Sequence, residues 1–100
     1  MAILTELEAA NALGYISTDE MPERVNTLLS AIDKFIETAT GKDWGAETTI
    51  DPTARMLASV LLVRWFEDPG MVGKVSDAGV LGLVGQLHAK ALQEKQAVAT

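Results

Sequence analysis

The sequence predicts an all-α fold: a small bundle of about four helices around a central apolar helix, with a mobile loop before the last one. Three observations carry this prediction. A capped apolar segment runs from Asp51 to Gly70, apolar residues recur at three- and four-residue steps from Val25 to Ala39, and Thr5 to Gly14 holds the start and stop signals of a short helix.

The first helix opens on Thr5-Glu6-Leu7-Glu8, a capping box in which the Thr5 hydroxyl and the Glu8 carboxylate each satisfy a backbone donor. Leu4, Leu7, Ala10 and Leu13 form its apolar stripe, and Gly14 ends it in a left-handed conformation. Tyr15 and Ile16 are expected to pack under the following turn. Ser17 to Glu23 concentrates capping side chains, carboxylates and an early proline, where the dipole of a second helix should begin. That helix carries Val25, Leu28, Leu29, Ile32, Phe35, Ile36 and Ala39 on one side and stops at Gly41.

Lys42 to Ile50, with Gly45 and Trp44, reads as a loop with one short extended piece, and Trp44 as its anchor on the core. Asp51 caps the central helix, Pro52 suits its first position, and Pro69-Gly70 closes it after Glu67. The helix is apolar on nearly all sides, so its neighbours must cover more than one face. Arg55 and Arg64 on it read either as side chains whose stems cover apolar surface or as partners in intersubunit ion pairs.

Pro69 to Gly79, with three glycines around Lys74 to Asp77, reads as a mobile connection. Asp77 then caps a last helix bearing Val80, Leu81, Leu83, Val84, Leu87, Ala91 and Leu92. Gly82 and Gly85 weaken it by roughly 1 kcal/mol each relative to alanine. They suit a helix that packs closely on another backbone or orders on a partner, and Gln93 to Thr100 is expected to fray.

One hundred residues make a single domain, residues 1–100, able to bury roughly 60–65% of its unfolded surface in one core. The predicted core is Leu28, Ile32, Phe35, Leu61, Leu62 and Trp65. With no cysteine, disulfides and thiolate chemistry are excluded. Fourteen acidic residues against eight basic ones, a formal charge of −6, argue against tight nucleic-acid binding, which needs clustered lysine and arginine. The N-terminus lacks the basic and apolar regions of a signal peptide, and the run Val60 to Val63 is too short to span a bilayer, so no membrane role is expected.

No constellation for catalysis is visible, and no cofactor is expected. The single histidine, His88, lacks the companion ligands that a zinc site requires and reads as a surface or interface side chain. Asp19, Glu20 and Glu23 read as complements to a helix dipole rather than as an acid–base group. Gly79 to Gly85 lacks the preceding strand of a dinucleotide loop.

The order of these segments resembles the head–tail connector proteins of long-tailed bacteriophages and prophages, also called adaptor or head-completion proteins. Thr40-Gly41-Lys42 takes the place where the family's second helix closes, Trp65-Phe66-Glu67 that where its next helix closes, and the likeness runs from about Thr5 to Leu87. The resemblance implies a non-enzymatic virion assembly protein at the head–tail junction, forming a ring beneath the portal, twelve-fold to match it. Its implied partners are copies of itself, the portal protein and a tail-side head-completion protein, with DNA only as passing cargo. In this reading the subunit contact lies at Val80, Leu81, Leu83, Val84 and Leu87, with Arg55 and Arg64 pairing across subunits. Two other readings stand beside it: a bacterial helical interaction domain that dimerises through the central helix, and a small regulatory subunit of a larger catalyst.

Overall fold

The structure, a computed structural model, describes residues 3–74 and 78–99, with side chains as far as Lys95. Four α-helices follow in order: α1 Glu6–Leu13, α2 Arg24–Thr40, α3 Pro52–Glu67 and α4 Ala78–Ala99. Short 3₁₀ turns at Thr18–Glu20, Trp44–Ala46 and Pro69–Met71 fill the connections, and no strand occurs among the described residues. The molecule measures 48 × 29 × 17 Å. Its long axis reflects α4, whose 22 residues span about 33 Å at 1.5 Å per residue.

The caps announced at the starts of α1 and α3, and the glycine stops of α1 and α2, are formed. Thr5 Oγ1 accepts the Glu8 amide at 3.1 Å and Glu8 Oε1 accepts the Thr5 amide at 2.9 Å. At the other end of α1, Gly14 takes φ 87° while the Gly14 and Tyr15 amides donate to Asn11 and Ala10 carbonyls, the paired bonds of a Schellman stop. Gly41, at φ 81°, ends α2. Asp51 Oδ1 accepts the Thr53 amide at 2.8 Å, and Pro52 opens α3.

α3 is the hub, packed against α1, α2 and α4, while α2 and α4 also pack on each other. Its buried side chains Ala54, Leu57, Ala58, Leu61, Leu62 and Trp65 meet Leu28, Ile32 and Ile36 of α2 in one core, with Phe35 partly buried against it. Phe35 meets the Trp65 ring edge-on at 5.4 Å between centroids. Both buried indoles have hydrogen-bond partners, as such groups require. Trp65 Nε1 donates to the Lys74 carbonyl at 3.3 Å, and Trp44 Nε1 donates to Thr40 Oγ1 at 2.9 Å, so Trp44 does anchor its loop.

Several expectations need correction. Leu7 is 55% exposed, because α1 beds down on Ala9 and Ala10 and the chain before it buries Ile3 and Leu4 instead. The Ile3 amide donates to Asp33 Oδ1 of α2 at 3.1 Å, which pins that segment. Tyr15 turns inward to meet Phe66 edge-on at 6.4 Å, but Ile16 is 86% exposed rather than packed under the next turn. The acidic stretch opens a 3₁₀ turn, and α2 begins only at Arg24 with no side-chain cap. Its start is held by stacking: the Arg24 guanidinium lies 4.2 Å from the Phe66 ring centre. The expected extended piece after Lys42 is a 3₁₀ turn whose Gly45 amide is capped by Asp43.

Of the connection expected to be mobile, Pro69–Met71 form a turn capped by Asp68, and Lys74 is tied to Trp65. Residues 75–77, including the expected cap Asp77, lie outside the described residues. The last helix does not end at Gln93 but continues to Ala99. Two lysines tie α4 to the rest of the chain, one of them beyond Gln93. Lys42, on the loop after α2, bonds Glu94 of α4 and Glu47 at 2.8 Å. Lys90 of α4 reaches the Asp51 cap of α3 at 3.1 Å.

Candidate functional site

The expected subunit contact on α4 divides into two sets. Val80 and Leu87 are buried with Ala91 in the core, and Leu83 and Val84 are partly buried against it, so these four hold the helix to the body. The correction has a simple cause. α4 is apolar on several sides, and the side that faces α2 and α3 is chosen by packing rather than by local spacing. Leu81 remains 55% exposed, and Leu92 joins it at 49%. Residues 81, 85, 88 and 92 follow three- and four-residue steps, so Leu81, Gly85, His88 and Leu92 share the outward face.

Gly82 and Gly85 also lie exposed on α4, and a methyl group built on either meets no atom within 4 Å. The expectation that they let α4 approach another backbone is therefore not met within this chain. His88 is exposed beside a small cleft at the C-terminal end of α2, with Lys95 near it. No group of three or more histidine, cysteine, aspartate or glutamate side chains that could hold a metal ion occurs among the described residues.

Arg55 and Arg64 are both exposed on α3, and their surroundings differ. Arg55 pairs within the chain, at 3.0 Å to Glu8 of α1. Arg64 lies on the rim of an open groove of about 590 Å³ between α1 and α3. Ala12 contributes from α1, while Ser59, Val60, Val63 and Glu67 contribute from α3. Met56, 58% exposed, extends the same strip of α3 by one turn toward its N-terminus. This groove was not among the expected sites. Its signal was present all the same, since a helix apolar on every side with three helical neighbours has one strip left to cover.

The ionisable groups outside these surfaces serve the fold. Burial works against the charged form of Lys42, but its bonds to Glu47 and Glu94 outweigh that, and its pKa rises. The same ammonium lies 4.4 Å from the centre of the Trp44 ring. Partial burial opposes ionisation of Asp51 as well, and the Lys90 and Thr53 bonds overcome it, lowering the pKa. Asp33 behaves in the opposite way: burial dominates the Ile3 hydrogen bond, and its pKa is raised.

The arrangement offers two separate open apolar surfaces, a groove on α1 and α3 and the outward face of α4. No helix among the described residues is long and apolar enough to cross a membrane. The chain matches no protein-family model, no curated protein and no solved structure.

Proposed function

We propose that this chain is a structural assembly protein of the phage head–tail connector type, which closes into a ring beneath the portal and carries the DNA channel toward the tail. The observation that supports the reading is the pair of unlike apolar surfaces on one small domain. A contact that uses a different patch on each subunit propagates head to tail, and it makes a ring when the rotation closes. The resemblance of Thr40-Gly41-Lys42 and Trp65-Phe66-Glu67 to the connector pattern adds the portal as the template. The formal charge of −6 suits a channel component, since an acidic lumen lets DNA slide without adhering. In this role the protein performs no catalysis and acts at the head–tail junction of the virion.

Electron microscopy of the chain mixed with a portal protein from the same genome tests the proposal. A ring of added density on one face of the portal is expected. A portal that remains bare at saturating concentrations of the chain contradicts it.

A second reading, a helical adaptor that dimerises through its central helix, is favoured by the strip Met56, Val60 and Val63 on α3. It predicts a closed two-fold dimer without any portal. Light scattering from the isolated chain distinguishes the two, because the ring reading predicts no species that stops at two copies.

A further inference from the structure

We propose that residues 92–99 of α4 form an arm held to the body by one charge clasp, Lys42 to Glu94, and that salt releases this arm while the rest of the helix stays in place. The proposal does not rest on the ring reading. α4 changes character along its length. Up to Ala91 it is held by burial: Val80, Leu87 and Ala91 sit in the core, with Leu83 and Val84 packed against it. Lys90 adds the last firm tie, reaching the two carboxylate oxygens of Asp51 at 3.3 and 3.1 Å.

Past Ala91 the burial stops. Leu92, Gln93, Glu94 and Lys95 are all exposed, and among these described side chains Glu94 alone bonds another element. Its bond to Lys42 crosses a gap rather than a packed seam. An open cleft of about 340 Å³ is lined by Gly41 and Lys42 from the end of α2 and by Ala91, Glu94 and Lys95 from α4. A helix end with no apolar side laid on the body gains little from packing, and extending it by backbone bonds alone is close to neutral.

Lys42 makes release easy. When Glu94 lets go, the ammonium keeps Glu47 at 2.8 Å and the Trp44 ring, whose centre is 4.4 Å away, so no charge is left without a partner. Lys95 lines the same cleft and carries the same sign as Lys42, so it does not favour the closed position. The Glu94 side chain is 55% exposed, which opens the clasp to screening by ions. The arm is therefore a low-stability end with its own opening, and its position reads the ionic strength around the molecule.

Amide hydrogen exchange of the full chain, followed residue by residue by NMR, tests this at about 0.01 M and about 1 M salt, between which the screening length falls from about 30 Å to about 3 Å. In the wild type at high salt, the amides of residues 94–99 should exchange about two- to fivefold faster than at low salt, the factor that loss of an exposed ion pair represents. Those of residues 84–91 should keep their rates. In Glu94→Gln and Lys42→Gln the arm should exchange fast at both salt concentrations. Glu94→Gln leaves the contacts of Lys42 with Glu47 and Trp44 in place, so it decides the matter alone if circular dichroism shows Lys42→Gln to be poorly folded. Arm amides indifferent to salt in the wild type, a salt response that survives in Glu94→Gln, or acceleration of residues 84–91 together with the arm each overturns the proposal.

Discussion

Asp51 shows how much one side chain carries. Its carboxylate caps α3 through Thr53 and receives Lys90 from α4, joining two helices at one point. Asp51→Ala is expected to destabilise the fold by about 1–2 kcal/mol, the usual cost of a lost helix cap. The pH dependence follows from the lowered pKa. The folded state holds the carboxylate ionised to lower pH than the unfolded chain does, so the stabilisation is full at neutral pH and fades as pH falls through the folded pKa. Urea denaturation at pH 7 and pH 3 reads the difference, which should shrink at the lower value. Asp33 has the opposite sign. Its raised pKa means that ionisation opposes folding, so Asp33→Asn, which keeps an oxygen for the Ile3 amide, should raise the melting temperature at pH 7 and have little effect in acid.

At the scale of elements, the legible parts of the fold are those decided by neighbours in sequence. Thr5 and Glu8, Gly14, Gly41, and Asp51 with Pro52 each act within four residues, and the helix ends they announce are found there. What depends on distant residues was not legible. The start of α2 awaits the Phe66 ring under Arg24, Ile16 is left outside because Tyr15 takes the contact with Phe66, and α4 outlasts Gln93 with Lys42 holding Glu94. The candidate site divides in the same way. Of the residues expected at a subunit contact, Leu81 is exposed, whereas Val80 and Leu87 are buried in the core. The two halves of α4 therefore answer differently to mutation. Leu87→Ala should cost about 2–5 kcal/mol, as a large buried side chain does, whereas Leu81→Ala should cost well under 1 kcal/mol, measured by chemical denaturation.

At the scale of the molecule, three helices close around α3 and leave one strip of it open, while α4 presents a second open face. Neither surface arises from a single element's pattern. The groove needs α1 laid beside α3 by the Arg55–Glu8 pair and the Tyr15–Phe66 contact, and the α4 face needs Val80, Leu87 and Ala91 to choose the inward side. The account rests on these two surfaces acting together in assembly. Native mass spectrometry of the portal ring mixed with wild type, Met56→Asp or Leu81→Asp chains tests it most directly. The account predicts a full ring of twelve copies for wild type and loss of the complete ring for each variant, though both remain folded. Wild type that leaves the portal bare, or variants that load as wild type does, would contradict it.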